Sequence, residues 1–179
     1  FTSSLDRLQI PRLYGLLHHR PSDFLGSQGT LLYAAMEDLK QRGLVKKIGI
    51  SIYAPEELEH ITDRFSFDIV QAPINIVDRR LVQTGWLEKL KEKSIEVHVR
   101  SIFLQGLLLM GELDRPAKFQ SWKNLWKIWH DWLSQLQVSP QHAALGFVLA
   151  QPQIDRVIIF FKPLSHHIKK DNASKVSYM

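Results

Sequence analysis

The chain is 179 residues long, 45% hydrophobic and formally charged at +5, a size and composition that fit one folded domain and exclude a disordered chain. It has no cysteine, which removes disulfide frameworks and thiolate metal sites and agrees with a reducing, cytoplasmic setting. No apolar run is long enough to span a bilayer, no secretory signal is visible, and no arginine-rich block with interleaved aromatics points to nucleic acid, so neither a membrane nor a nucleic acid is an expected partner.

In chain order, "LYGLL" (13–17) reads as a strand that runs into "HHRP". "TLLYAAMEDLKQRG" (30–43) carries apolar residues at helical spacing, with Gly43 placed to cap its C-terminus. "KKIGIS" (46–51) is the next strand, and "APEELEHITDRF" follows as a helix with Pro55 in its first turn. "FDIVQAP" (67–73) is a strand, "LVQTGWLEKLKEK" (81–93) a helix and "IEVHVRSIF" (95–103) a strand. "FQSWKNLWKIWHDWLSQLQ" (119–137) is one long helix, with Trp122, Trp126, Trp129 and Trp132 along a single face suited to core or interface burial. "SPQHAALGFVLAQ" (139–151) is a helix with Ser139 as N-cap and Pro140 in its first turn, and "DRVIIFF" (155–161) is the last strand.

Strands alternating with helices predict right-handed βαβ units around a parallel sheet. A glycine-rich phosphate turn after the first strand, the mark of a doubly wound nucleotide fold, is absent. Polar residues gather instead at the C-terminal tips of successive strands: His18 and His19, Ser51, Gln71, then Arg100 and Ser101. That habit belongs to (β/α)8 barrels. Five strands do not close such a barrel, so either three are missing or the sheet stays open. A Glu56–His60 pair one helical turn apart has no third ligand nearby and is no basis for a metal site.

These segments together resemble the aldo-keto reductases. "SLDRLQIPRLYGLLHHRPSD" is similar to the family's helix, fourth strand and catalytic histidine, and "LKQRGLVKKIGIS" to its fourth helix and fifth strand. "FDIVQAPINIVDRR" resembles its sixth strand, "IEVHVRSIFLQGLLL" its seventh, and "VSPQHAALGFVLAQPQIDRVI" its final helix and eighth strand. The resemblance implies an α/β partial TIM barrel, from about the fourth strand to the eighth. The whole chain, 1–179, forms one incomplete domain with a divergent basic tail at 160–179. It further implies NADPH-dependent reduction of an aldehyde or ketone by hydride transfer, with a small carbonyl compound as substrate. The family's catalytic aspartate, tyrosine and lysine belong to the second and third strands, which would precede Phe1, so this chain alone is expected to be inactive.

Carried over residue by residue, "HRP" matches the family histidine to His19, with His18 as the alternative. In a strand, alternation turns His18 toward the helices if His19 faces the barrel axis. Ser51 and Gln71 match positions that bond the nicotinamide carboxamide, where a donor and an acceptor are both required; Gln71 also reads as an ordinary polar strand end. The family's asparagine after that serine is replaced by Ile52, and Asn75 reads as a loop cap. Arg100 stands where many members stack an aromatic on the nicotinamide, a task a planar guanidinium can share, or it pairs with Glu96. Ser101 and "FLQG" (103–106) match the region of the pyrophosphate and ribose. Lys162 and Asn172 match the adenosine-phosphate region, with Pro163 and Ile168 replacing the expected serine and arginine, and Lys169 or Lys170 placed to substitute. NADP is the expected cofactor, with NAD the alternative. A non-catalytic half-barrel that self-associates through exposed strand edges is the competing reading.

Overall fold

The computed structural model describes residues 1–159. Five strands form one sheet: β1 (Leu13–His18), β2 (Val45–Ser51), β3 (Ile69–Pro73), β4 (Glu96–Arg100) and β5 (Arg156–Val157). Their spatial order is their chain order and every pairing is parallel. Helices α1 (Thr2–Leu8), α2 (Gly29–Gln41), α3 (Glu57–Ile61), α4 (Arg80–Gln83), α5 (Trp86–Glu92), α6 (Lys123–Leu136) and α7 (Pro140–Leu149) fill the connections. This is an arc of a (β/α)8 barrel, as the alternating pattern predicts.

Strand parity decides which side chains meet. Ile48, Ile50, Val70, Ala72, Val97 and Val99 point to the helix side, where they join Met36, Leu58, Ile61, Leu87, Leu90 and Val148 in the main core. By alternation, Lys47, Gly49 and Ser51, Ile69 and Gln71, and Glu96, His98 and Arg100 share the opposite face. That face is sharply concave. Arg156 of β5 lies 4.8 Å from the ring of Tyr14 on β1, whereas a flat sheet would hold these outer strands roughly 19 Å apart. Two glycines permit the curl: a Cβ on Gly49 would sit 2.2 Å from the Ile69 carbonyl oxygen, and one on Gly15 would sit 2.8 Å from Ile69 Cδ1.

The sequence-predicted elements hold with corrections. Of the strand expected over 155–161, only Arg156–Val157 is strand among the described residues. The helix expected over 81–93 is broken into α4 and α5, because Gly85 adopts φ +72° between them. The helix expected from Ala54 shrinks to α3, because the Glu57 carboxylate turns back and accepts from the Tyr53 and Ala54 N–H groups. The 119–137 helix begins as a 3₁₀ segment (Ala117–Trp122) before α6. Strand β4 stops at Arg100, since Ser101 turns the chain with φ +60°. Gly43 (φ +70°) follows the end of α2 and the Ser139 hydroxyl accepts the His142 N–H at 3.2 Å, both as expected.

The tryptophan row does not act as one face. Trp126 and Trp129 are buried with Leu107, Leu108, Leu133 and Ala144 in a second core, while Trp122 and Trp132 are 53% and 37% exposed. Trp122 lies on the tighter 3₁₀ turn, out of phase with α6, whereas Trp132 lies on α6 itself at the flank of its buried face, its ring stacked on that of Trp129 at 5.5 Å.

Candidate active site

The two histidines of "HHRP" part company. His18 Nε2 lies 2.8 Å from the Asp23 carboxylate, and its ring meets the buried Phe24 edge-on at 5.2 Å. It belongs to the helix side, as alternation predicts for the case in which His19 faces the axis. His19 stands at the C-terminal tip of β1, its ring 5.7 Å from that of Tyr53 and its Nδ1 3.5 Å from the Tyr53 hydroxyl.

On the neighbouring strands and level with His19, Ser51 and Gln71 pair across β2 and β3, and the Ser51 hydroxyl donates to Gln71 Oε1 at 3.2 Å. Ser51 is buried. Together they present a hydroxyl and an amide, a set that both donates and accepts.

Arg100, at the tip of β4, does not pair with Glu96. Glu96 is already taken by Lys47 (2.6 Å), Tyr14 (2.6 Å) and His98 (3.0 Å) near the opposite, N-terminal end of the strands. Arg100 instead donates to the Ile52 carbonyl at 3.0 Å and lies 4.8 Å over the Tyr53 ring, with a longer contact to the Ser101 hydroxyl at 3.4 Å. Ser101 opens a cavity of about 470 Å³ lined by Arg100, Ile102, Phe103, Gln105, Gly106, Leu109, Ile158 and Ile159. Arg100 is the charged member of that lining. Asn75 is a loop cap: its Oδ1 accepts from the Val77 and Asp78 N–H groups, and its Nδ2 donates to the Ser101 carbonyl. It thereby ties the loop after β3 to the loop after β4.

Sequence reading passed over Tyr53, which touches both His19 and Arg100. Its backbone is held on both sides. The Glu57 carboxylate accepts its N–H at 2.6 Å, and Arg80 donates to its carbonyl at 3.3 Å. Arg80 is itself held by Asp78 through two contacts of 2.9 Å, and those hydrogen bonds keep the Asp78 carboxyl below its ordinary value. The available signal was parity: Tyr53 follows Ser51 by two residues at a strand tip.

The structure therefore brings His19, Ser51, Gln71, Arg100 and Ser101 to one end of the curled sheet. Lys162 and Asn172 lie outside the described residues. Among the described residues no helix is long and apolar enough to cross a membrane.

Comparison with known proteins bears on the family and the fold. The chain is 26% identical over 157 residues to the uncharacterised oxidoreductase YqkF of Bacillus subtilis (strain 168), covering 80% of this chain and 50% of that protein. A 62-residue stretch is 37% identical to the chloroplastic pyridoxal reductase of Arabidopsis thaliana, 34% of this chain and 17% of that protein. Among solved structures, the glycerol dehydrogenase AKR11B4 of Gluconobacter oxydans superposes with a TM-score of 0.63 at 18% identity, over 87% of this chain and 52% of that one. The holo form of the aldo-keto reductase AKR11C1 of Bacillus halodurans gives 0.61 at 23% identity, over 87% and 53%. The chain spans about half the length of YqkF and of these solved relatives. The model of the aldo/keto reductase family matches residues 1–175, and the chain belongs to that family.

Proposed function

We propose that these residues form the cofactor side of a carbonyl-reductase site, which in a complete barrel carries out NAD(P)H-dependent reduction of an aldehyde or ketone. The observation that supports this most is the gathering of His19, Ser51, Gln71 and Arg100 at the C-terminal ends of adjacent strands, where barrel enzymes do their chemistry. The donor-and-acceptor pair Ser51–Gln71 suits a nicotinamide carboxamide. The cavity beyond Ser101 suits the extended body of the dinucleotide, with Lys162 and Asn172 assigned to its adenosine-phosphate end. A bound nicotinamide would supply the hydride. His19 would then donate a hydrogen bond to the substrate carbonyl, orienting it and drawing electrons from its carbon. NADP is the favoured cofactor, with NAD the alternative, and the setting is cytoplasmic.

On this reading the aspartate, tyrosine and lysine that finish the family's site belong to strands outside this sequence, and the 179 residues alone bind cofactor without turnover. Titration of the chain with NADPH, followed by fluorescence, and then a carbonyl-reduction assay test both parts. Saturable binding without turnover is the expected outcome. Absence of binding refutes the cofactor site, and turnover refutes the assignment of the missing residues.

One observation favours self-association as a second reading. Leu125, Ile128, Trp132 and Leu136 form an exposed apolar row on α6, and the outer edges of β1 and β5 have no strand partner among the described residues. A concentration-independent monomer in size-exclusion chromatography rules it out.

A further inference from the structure

The segment between β4 and α6 is fastened to α6 by a cation and an imidazole. Arg115 Nη2 donates to the Met110 carbonyl at 2.7 Å and lies 2.8 Å from His130 Nε2 on α6. A guanidinium keeps its proton and has no acceptor atom. Arg115 is therefore the donor, and the contact exists only while His130 Nε2 offers a lone pair, in the neutral imidazole. Protonation of His130 turns that acceptor into an N–H and sets two cations against each other. The other charged groups that share a surface recess with His130 are Glu112 from the same segment and Lys123, Lys127 and Asp131 from α6. Lys127 and Asp131 pair with each other. Lys123 adds to the repulsion, which leaves Glu112 as the acid that offsets it.

The fastened state carries costs that release would relieve. The Arg115 guanidinium stacks on the Trp126 ring at 4.4 Å, but Arg115 Nε and Trp126 Nε1 are both buried without a hydrogen-bond partner among the described residues. Lifting the segment exposes both donors to water, so opening regains hydrogen bonds that closure forfeits. The backbone ahead of Arg115 is strained as well: Leu104 and Gln105 hold φ +49° and +53°, in the left-handed region. Packing keeps it there, with Leu107 and Leu108 in the second core and Trp129 Nε1 donating to the Leu108 carbonyl. Gln105, Gly106 and Leu109 form one wall of the cavity beyond Ser101, and Met110, where Arg115 fastens, is the next residue.

We propose that Arg115 and His130 form a pH-dependent latch: neutral His130 holds residues 110–115 on α6, and protonated His130 releases them and loosens the cavity wall that precedes them. The sign follows from the acceptor. The latch is closed at higher pH and opens as the pH falls through the imidazole range. The inference is independent of what the cavity binds, because every contact in it lies within the chain. Arg115 and His130 act as positioning residues, through the backbone of residues 104–110.

Hydrogen–deuterium exchange of the full chain at about pH 8 and about pH 5, read by mass spectrometry and corrected for intrinsic exchange, tests the latch. The reporting amides are those of Gly106 and Leu108, bonded to the Phe103 carbonyl, and of Met110, bonded to that of Leu107. A hydrogen bond to a charged group shifts an equilibrium by roughly ten- to a hundredfold, so protection of these amides is expected to fall about tenfold or more at the lower pH. Strands β2 and β3 should keep theirs. His130→Gln, whose amide oxygen accepts at either pH, should hold the segment protected at both. Arg115→Met and His130→Leu should leave it exposed at both, with circular dichroism separating loss of the latch from loss of the fold. Equal protection of the wild-type segment at the two pH values overturns the proposal without any variant. A pH response that survives in His130→Gln also overturns it, by assigning the effect to Glu112 or Asp131. So does a loss of protection spread evenly over β2 and β3, which is global unfolding.

Discussion

Replacing Glu96 by glutamine removes the hub that joins β1, β2 and β4. Its Oε1 accepts from Tyr14 and Lys47, both at 2.6 Å, and its Oε2 lies 3.0 Å from His98 Nε2. Burial works against the charged carboxylate, yet the hydrogen bonds from Lys47, Tyr14 and His98 outweigh it and hold the carboxyl down from its ordinary 4.5 to about 2. At about 1.4 kcal/mol per tenfold change in proton affinity, that drop corresponds to about 3 kcal/mol in favour of the folded state. The side chain is 20% exposed, and solvent screening leaves about 2 kcal/mol. The folded carboxyl holds its proton less tightly than the unfolded one. Its contribution is therefore complete above pH 4.5, shrinks as the pH falls and is gone near pH 2. Urea unfolding across this range is the assay. Glu96→Gln is expected to cost about 2 kcal/mol at pH 7, where it also strands the Lys47 charge, and the gap to wild type should close as the pH falls from 4.5 toward 2. A gap that stays constant with pH refutes the reasoning, because a purely steric loss does not titrate.

Gly49→Ala should destabilise the chain by about 3 kcal/mol or more, because the new Cβ meets the Ile69 backbone at 2.2 Å and the sheet cannot flatten cheaply; an unchanged melting temperature would show that the curl is looser than described. Trp129→Phe removes the buried Nε1–H that donates to the Leu108 carbonyl at 3.1 Å, and a cost of about 2–3 kcal/mol is expected by chemical denaturation. Trp122→Phe, at an exposed position, should stay within about 0.5 kcal/mol. Equal effects at the two tryptophans would contradict the division of that row between core and solvent.

The sequence by itself determined the local order. Period-two runs such as "KKIGIS" and the helical spacing of "TLLYAAMEDLKQRG" depend on neighbours a few residues away, and β2 and α2 formed where those patterns lie. Side-chain alternation likewise placed His18 and His19 on opposite faces, without deciding which of them faces the axis. The spaced set of segments from "LYGLLHHRPSD" to "IDRVI" carried the family and the partial barrel. Tertiary structure decided what depends on distant partners. Arg100 abandons Glu96, four residues away in sequence, because Lys47 and Tyr14 reach that carboxylate across the curl, while Tyr53 and the Ile52 carbonyl offer Arg100 another seat. Tyr53 joins the site only because Glu57 and Arg80 fasten its backbone beside His19. The tryptophans divide between core and solvent by which face of α6 the loop after β4 covers. Periodicity reports which residues face the same way; only closure of the chain over tens of residues reports what they face.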